Sequence, residues 1–353
     1  MRLGVITDPL FLQHRHILAH PENPGRLQTL TQQLQAQPYF GSLARVPLRH
    51  ANGDELELVH DRAYLHALQS LAHSTMLDQD TYAGASSFTV AAVATGSILN
   101  AVDLLMNDEL DCVFVLTRPP GHHASRNQAM GFCLLNHAAV ASKFIGQKYQ
   151  QPVAILDWDA HHGNGTQSIF YRDPEVLYVS SHQYPFYPGS GDPLQLGQDS
   201  GYGYNLNFPL PRGLPAQQFV ALYQHLIIPT IEQFRPKILI VSAGFDAHMD
   251  DPLAQLSLRA SDFALLAALV ENMRMNNNGL KTIYILEGGY DTAALAASVQ
   301  AVIEVLIQPM DDIKTLLKRC ALSAKESSFA ANLVRVYPSE INVKWRFDSF
   351  LRG

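Results

Sequence analysis

The chain of 353 residues has few cysteines, no excess of basic charge and no long apolar run. Its cysteines, Cys112, Cys133 and Cys320, are odd in number and far apart, which argues against a disulfide framework and favours a reducing, cytoplasmic compartment. The longest unbroken apolar runs hold about eight residues, such as 263–270, whereas a bilayer span needs roughly 20. No basic, then apolar, leader precedes residues 2–6, so neither a signal peptide nor a membrane anchor is expected.

The charge balance and the lack of linkers narrow the choice further. A net charge of −7 provides no global basic field, so direct binding to nucleic acid is not expected. No internal repeat, low-complexity tract or charged linker divides the chain, and the Gly/Pro-rich stretch 185–203 is predicted to be a surface loop. With 47% apolar residues, the sequence predicts one large domain over residues 1–353.

Almost continuously apolar, β-branched runs recur along the chain, as in strands that are covered on both faces of a parallel sheet. These runs are 112–117, 153–156, 176–179, 238–242 and 282–286. Helix-like segments lie between most of them: 83–106, 136–149, 215–234 with Pro215 at the first helical position, and 259–276 with Gly279 as its stop. The alternation predicts an α/β fold, a three-layer α/β/α sandwich around a mostly parallel sheet.

Reactive side chains follow each predicted strand. They are the segments Arg118-Pro-Pro-Gly-His122-His123, Asp157-Trp-Asp-Ala-His-His162, Ser180-Ser181-His182, Ala243-Gly-Phe-Asp246 and Glu287-Gly-Gly-Tyr290. Because ligand sites of open parallel sheets lie at the carboxyl ends of the strands, these five ends should meet in one crevice.

The segment after the second run indicates a metal. If the strand continues, Asp157, Asp159 and His161 share one face, and burying them is costly unless a cation compensates their charge. A surface ion-pair cluster is the alternative. Catalytic zinc takes three protein ligands and keeps one position open, a set that Asp159, His161 and Asp246 supply; Fe²⁺ or Mn²⁺ would also accept these ligands, and a helix cap is the alternative for Asp246.

The remaining polar residues suit acid–base chemistry. His122 or His123 could act as general base and then protonate a leaving amine, with Asp157 and Asn164 available to fix their tautomers. The Tyr290 phenol could stabilise an oxyanion. Considered alone, the histidines could be structural and the Gly-Gly-Tyr segment a tight turn.

Together these motifs closely resemble the histone deacetylase superfamily, nearest its class II and prokaryotic branch. The motifs, in family order, are His20-Pro-Glu-Asn-Pro-Gly-Arg26, Arg118-Pro-Pro-Gly-His-His123, Gly131-Phe-Cys133, Asp157-Trp-Asp-Ala-His-His-Gly-Asn-Gly-Thr-Gln167, Ser242-Ala-Gly-Phe-Asp246 and Glu287-Gly-Gly-Tyr290. The resemblance implies the arginase/deacetylase fold and zinc-dependent hydrolysis of acetyl amides, with acetyl-lysine of proteins or peptides as the substrate.

The resemblance also assigns roles by motif. Asp159, His161 and Asp246 are implied zinc ligands. His123 is the implied general base and acid, His122 has a more electrostatic role, and Tyr290 polarises the carbonyl. The implied substrate-binding residues are Gly131, with Phe132 and Tyr187 as tunnel walls, and Asp80 and Leu253 at the rim. A structural K⁺ is implied near Asp157 and Ser180 side chains and the backbone carbonyls of Asp159, His161 and Ser181. Asn164 replaces an Asp of some members, which should leave His123 less basic.

Three alternatives stay open. Arginase-type hydrolases share the fold, but Gly163, Asn164 and His248 stand where a second metal would need carboxylates. An acetylpolyamine amidohydrolase uses the same chemistry, and Leu253 stands where one polyamine-preferring branch has Glu. A non-catalytic acyl-lysine binding protein would need neither Tyr290 nor the tandem histidines. Residues 311–353, with Trp345 and Phe347, match no motif and are expected to pack as a tail or to contact a partner.

Overall fold

The computed structural model describes residues 2–16, 18–277, 279–319 and 324–347. Its strands are β1 (Leu3–Ile6), β2 (Ala44–Arg45), β3 (Thr75–Met76), β4 (Tyr82–Ala83), β5 (Cys112–Val115), β6 (Val153–Asp157), β7 (Val176–Gln183), β8 (Asn205–Leu210), β9 (Ile238–Ala243) and β10 (Lys281–Leu286). Eight of them form one sheet in the order β2-β1-β5-β10-β9-β6-β7-β8, and every pairing in it is parallel. The short β3 and β4 pair antiparallel with each other.

Helices flank this sheet in two groups. They are α1 (Pro24–Gln35), α2 (Gly53–Leu56), α3 (Arg62–Gln69), α4 (Ser87–Met106), α5 (His137–Tyr149), α6 (Asn164–Phe170), α7 (Ala216–Leu222), α8 (Ile228–Phe234), α9 (Ala260–Asn276), α10 (Thr292–Leu306), α11 (Met310–Arg319), α12 (Ala324–Val334) and α13 (Ser339–Lys344). One group packs α1 on α10 and α10 on α9, and the other packs α4 on α5. The predicted α/β fold with a mostly parallel central sheet is confirmed.

Two predicted helix boundaries are wrong in detail. Pro215 is the N-cap of α7, not its first helical residue, because its extended backbone lets its carbonyl accept the first helical N–H groups. A π-helical turn, Tyr223–Ile227, joins α7 to α8. Helix α9 begins at Ala260, one residue after its predicted start, and ends at Asn276 as predicted, with Asn277 as its C-cap. Gly279, with φ +95°, lies two residues beyond this cap and is therefore not the predicted C′ residue.

The helix α4 is long and apolar enough by length and composition to cross a membrane, but most of its apolar stretch is buried inside the fold. Its apolar side chains are interrupted by Thr95, Gly96, Ser97 and Asn100, so no single unbroken run marks it in the sequence. It packs as a core helix against β5 and α5.

The C-terminal segment 324–347 covers the outer strand of the sheet. The Tyr337 hydroxyl donates to the Asn207 carbonyl of β8, and the Trp345 indole N–H donates to the Gly203 carbonyl at 2.8 Å. The Phe347 ring lies 6.3 Å from the Phe208 ring. This part of the predicted tail therefore packs on its own sheet, whereas residues 320–323 and 348–353, including Cys320, lie outside the described residues.

Candidate active site

Two carboxylates and one imidazole converge where β6 and β9 end side by side. Asp159 and His161 follow β6 and Asp246 follows β9, and their donor atoms lie within 4.8 Å of one another. The His161 Nδ1 lies 2.9 Å from Asp246 Oδ2 and 3.2 Å from Asp159 Oδ1. Burial and the neighbouring Asp159 charge raise the pKa of Asp246 to about 7. This buried set has the donor types of a zinc site, so the residues fit a divalent cation.

Backbone N–H groups orient both carboxylates of this cluster. Ala160 donates to Asp246 Oδ1 at 2.7 Å, and Gly288 donates to Asp159 Oδ2 at 2.8 Å. Gly288 must be glycine for this approach, because a Cβ there would stand 2.3 Å from Asp246 Oδ2. The carboxylates are thus fixed by contacts from three different strand ends.

Asp157 belongs to a different set of contacts. Strand β6 ends at Asp157, so the predicted strand alternation does not continue to Asp159 and His161. The Asp157 carboxylate instead faces His122 Nδ1 at 3.1 Å and accepts a hydrogen bond from the Tyr178 hydroxyl at 3.0 Å. It therefore orients an imidazole next to the metal cluster.

The tandem histidines differ in charge. Burial favours the neutral form of His122, but the charges of Asp157 and Asp159 outweigh it and raise the His122 pKa to about 10. Burial, and then the positive charges of His122 and His161, lower the pKa of His123 well below its usual range. His123 Nδ1 lies 2.7 Å from Asn164 Oδ1, so Asn164 accepts its proton and leaves Nε2 unprotonated. The pair thus offers one cationic and one basic imidazole.

Glu287 holds the backbone of the histidine loop. Its Oε2 accepts hydrogen bonds from the N–H groups of Gly121 at 2.6 Å and His122 at 3.2 Å. Since Glu287 directly follows β10 and His122 follows β5, this carboxylate ties together two neighbouring strand ends. Glu287 belongs to the Glu287-Gly-Gly-Tyr290 motif, but its local sequence does not indicate this role.

Tyr290 stands at the same pocket with its phenol protonated. Burial raises its pKa well above the usual range, and the negative charges of Asp159 and Asp246 add to this against the opposing Arg26. Its ring meets the Phe132 ring edge-on at 5.6 Å. The phenol is therefore a hydrogen-bond donor at neutral pH.

Aromatic side chains line the pocket that leads to these residues. The pocket has a volume of about 650 Å³ and is lined by His123, His161 and Tyr290 together with Phe132 and Tyr187. The Tyr187 ring lies 5.4 Å from the His123 ring. Such a sleeve suits a methylene chain.

The backbone at Gly131 and Phe132 brings this wall close to the histidines. Both residues have positive φ, +54° and +69°. A Cβ on Gly131 would stand 2.3 Å from His123 Cδ2, so a larger residue would displace the imidazole. The Phe132 N–H donates to the Thr81 hydroxyl at 3.0 Å, which stabilises this left-handed conformation.

Asp80 and Leu253 both line the outer part of the pocket. Burial and the Asp78 charge raise the pKa of Asp80, and its side chain accepts from the Thr81 hydroxyl at 3.1 Å. His20 Nε2 lies 2.8 Å from the Asp80 carbonyl, which links the first motif to this rim. The rim thus combines one carboxylate with one apolar side chain.

The residues of the implied K⁺ site lie on the adjacent strands β6 and β7 and in the segment that follows β6. Asp157 and Ser180 are register partners of β6 and β7. Ser180, Ser181 and His182 lie inside β7, not after it as predicted, because pairing with β8 extends the strand to Gln183. The Ser180 hydroxyl lies 2.8 Å from His182 Nδ1, and the Ser181 hydroxyl lies 2.7 Å from the Tyr223 hydroxyl.

A buried ion cluster behind the pocket was not anticipated. Glu22 lies between two guanidinium groups: Arg118 donates to Oε2 at 2.6 Å and Arg26 to Oε1 at 3.1 Å. Arg26 also reaches the turn that carries Tyr290. Charged residues in the first motif, and an Arg directly after an apolar strand, were the available signals. Their partners, however, come from distant parts of the chain.

Comparisons with known proteins agree with this geometry. Residues 20–306 match the family model of the histone deacetylase domain. A probable deacetylase of Archaeoglobus fulgidus is 36% identical over 294 residues, 82% of each chain. A histone deacetylase-like amidohydrolase of Pseudomonas aeruginosa is 37% identical over 294 residues, 81% of this chain and 77% of that protein. The crystal structure of the HDA15 HD domain superposes with a TM-score of 0.85 at 30% identity, covering 99% of this chain and 98% of that one.

Proposed function

Since the chain belongs to the histone deacetylase family, we propose that it is a zinc-dependent hydrolase that removes acetyl groups from acetyl-lysine side chains of proteins or peptides. Asp159, His161 and Asp246 would hold the zinc. One observation carries the proposal: the neutral His123 and the protonated Tyr290 line the same pocket as His161 of the donor cluster.

The proposed roles follow from the protonation states. A bound divalent cation would polarise the acyl carbonyl and lower the pKa of the attacking water. His123 accepts the proton of that water as the C–O bond forms and passes it to the amine nitrogen as the C–N bond breaks. His122, kept cationic by Asp157, stabilises negative charge without releasing its proton. Tyr290 donates a hydrogen bond to the oxyanion on the former carbonyl, and acetate and a free amine are the products.

The pocket lining supports acetyl-lysine over an acetylpolyamine. Phe132 and Tyr187 provide an apolar sleeve for the lysine methylenes, and Leu253 at the rim offers no negative charge to a second amine. Asp80, the rim carboxylate, is proposed to accept hydrogen bonds from the substrate backbone amides. An acetylpolyamine has no such amides, although the same carboxylate could attract its charge.

Turnover and metal content test the proposal together. The purified chain, loaded with zinc at one equivalent, should release acetate from acetyl-lysine peptides with higher kcat/KM than from acetylspermidine. Tyr290→Phe should lower kcat by roughly 10²-fold or more, the usual effect of losing an oxyanion donor, with metal content unchanged. The reverse substrate ranking would favour the polyamine function. Metal binding without any turnover would favour an acyl-lysine binding protein.

We also propose one transition metal per chain, a structural K⁺ and a cytoplasmic location. Among the described residues, His248 does not share a donor cluster with Asp159, His161 and Asp246, and its Nδ1 accepts the Asp250 N–H at 3.2 Å, which supports a single metal. Asp157 and Ser180 as register partners support the K⁺ site. The buried, free thiols of Cys112 and Cys133 support a reducing compartment.

A further inference from the structure

The position of the Tyr290 phenol depends on a tight backbone turn between β10 and α10. This turn comprises residues 287–291, and within it Gly289 has φ +119°. Helix α10 begins directly after it, with the Asp291 side chain accepting the Ala294 N–H at 2.8 Å. On its inner side the turn is held against the metal cluster, where the Gly288 N–H donates to Asp159 Oδ2 at 2.8 Å. Two further side chains hold the turn from its outer side.

Arg26 holds the carbonyl groups of the turn. Its Nε donates to the Gly289 carbonyl and a terminal nitrogen donates to the Glu287 carbonyl, both at 2.6 Å. Its guanidinium also lies 4.7 Å from the centre of the Tyr290 ring. Arg26 is buried, so these hydrogen bonds are protected from water.

Asp251 holds the N–H groups of the same turn. Its Oδ2 accepts the Tyr290 N–H at 2.6 Å and the Asp291 N–H at 3.4 Å. Its Oδ1 accepts the Leu253 N–H at 2.9 Å within its own loop. The residue is only 7% exposed, and hydrogen bonds to a carboxylate are stronger than neutral ones. One side chain therefore fixes the loop after β9 to the backbone of the phenol-bearing residue.

We propose that Asp251 is a positioning residue for the hydrolytic reaction and acts through Tyr290. The inference rests on the proposed function. The carboxylate takes no part in proton transfer and need not touch the substrate. It fixes the Tyr290 backbone so that the phenol reaches the developing oxyanion, and small displacements of such a donor are costly to the rate.

A double-mutant cycle separates this role from general stabilisation of the fold. Asp251→Asn is nearly isosteric but places a donor group against backbone N–H groups. We expect kcat to fall by about 10- to 100-fold, because a displaced Tyr290 phenol loses part of its stabilisation of the oxyanion. KM should change less than about threefold and zinc content should stay unchanged. In a Tyr290→Phe background the same substitution should change kcat by less than about twofold, because the donor is already gone.

The control is Asp250→Asn, the same chemical change one residue earlier on an exposed side chain, which should leave kcat unchanged. Three results would each overturn the proposal: an unchanged kcat in Asp251→Asn, an equal loss in Asp250→Asn, or a loss that persists undiminished in the Tyr290→Phe background. Asp251→Ala is a second variant for which we expect the same pattern of changes in kcat. Near-UV circular dichroism would compare its folded structure with that of the wild type. If the wild-type chain releases no acetate, both the proposed function and the positioning role of Asp251 fail. If the wild type is active but the effects of the two substitutions on kcat are additive, only the positioning role fails and the proposed function stands.

Discussion

At the scale of single residues, the buried Glu22 carboxylate is the clearest electrostatic feature outside the pocket. Burial works against its charge, but Arg118, and then His14 and Arg26, outweigh burial and lower its pKa to about 2. All four side chains are almost fully buried. Each guanidinium also hydrogen-bonds backbone carbonyls, Arg26 in the Tyr290 turn and Arg118 at Phe11 and His14. The cluster thus joins the N-terminal segment to the active-site turn.

Glu22→Gln should therefore be strongly destabilising. Removing one partner of a buried ion pair costs about 3–5 kcal/mol, since the remaining charge is left uncompensated. Urea unfolding at pH 7 would measure the change in the free energy of unfolding. The matched control is Glu57→Gln, whose ion pair with the exposed Arg62 is screened by solvent and should contribute little to stability. Equal effects of the two substitutions would contradict the central role of the buried cluster.

The advantage of Glu22 over Gln should also depend on pH in a defined direction. A carboxyl whose folded pKa is lowered contributes stability that is complete above its unfolded pKa and is lost as pH falls through the folded value. For Glu22 the window runs from about pH 4.5 down to about pH 2. The stability difference between wild type and Glu22→Gln should be constant from pH 7 to 5 and shrink below pH 4.5. A difference that grows on acidification would contradict the assignment.

Asn164→Asp should change the pH dependence of hydrolysis. A carboxylate 2.7 Å from His123 Nδ1 would favour the protonated imidazole and raise its pKa, because an opposite charge at this distance stabilises the cation. Because His123 must be neutral to accept a proton, the acid limb of kcat/KM should move to higher pH. A pH–rate profile measures the shift, with Asn100→Asp on α4 as a control that should leave the limb in place. An acid limb that stays at the same pH or moves to lower pH would show that a group other than His123 controls it.

At the scale of elements, the sequence predicts the centre of the sheet and misses its edge. Strands β5, β6, β9 and β10 are confirmed near their predicted bounds, and β7 is confirmed but extends four residues beyond its predicted end. Each of the five contains a continuous apolar run buried on both faces. Strand β8 carries Asn205, Asn207 and Pro209, which do not read as a central strand. Pro is tolerated there since the outer side of an edge strand needs no ladder hydrogen bond. An amphipathic α1, rich in Gln, was likewise not predicted.

In the candidate site, too, the sequence predicts some residues from local motifs and misses those whose role depends on tertiary contacts. His123, His161 and Tyr290 stand in short motifs after strands, so their grouping could be predicted from strand ends alone. The wall and rim residues Phe132, Tyr187, Asp80 and Leu253 were implied only by the family resemblance. The residues that hold the site in place could not be predicted, because their partners are set by tertiary contacts. Arg26 and Gly289 are 263 positions apart, and Asp251 and Tyr290 are 39 apart. Local spacing carries no information on such pairs.

The substitution Trp345→Ala tests whether the C-terminal helices stabilise the fold by covering the edge strand β8. The side chain is buried against Tyr204 and donates to Gly203, so Trp345→Ala should cost about 3–5 kcal/mol of unfolding free energy. The site is remote from the pocket, so kcat/KM of the folded variant should be unchanged. Val343→Ala, in α13 two residues before Trp345 and 73% exposed, is the control and should cost little. A large loss of kcat/KM with normal stability would instead link this segment to catalysis.

At the scale of the whole molecule, strand order explains why residues distant in sequence form one site. Strands β5, β10, β9, β6 and β7 are consecutive neighbours in the sheet and all run parallel, so their carboxyl ends lie in a row. The metal cluster forms at the central pair, β9 and β6. The histidine loop and the Tyr290 turn follow β5 and β10 on one side, and Ser180 lies on β7 on the other. A large apolar core below this row holds the strands in place independently of any ion.

Metal removal should therefore leave the fold intact and lower its stability, in a manner that depends on pH. In the metal-free chain the pKa of Asp246 is raised to about 7, so below that pH a cation must displace its proton. Affinity for zinc should fall about tenfold per pH unit below pH 7 for each displaced proton, and the rise in Tm on adding metal should shrink from pH 8 to pH 5.

Chelated and zinc-loaded protein would be compared by thermal unfolding, with far-UV circular dichroism to show that the chelated chain stays folded. Asp246→Asn, which lacks this titrating ligand, should show a smaller rise at pH 8 and a weaker dependence on pH. Unfolding on chelation would contradict a core that is stable without the ion. A metal effect that is constant from pH 8 to 5 would contradict a proton that is held on Asp246.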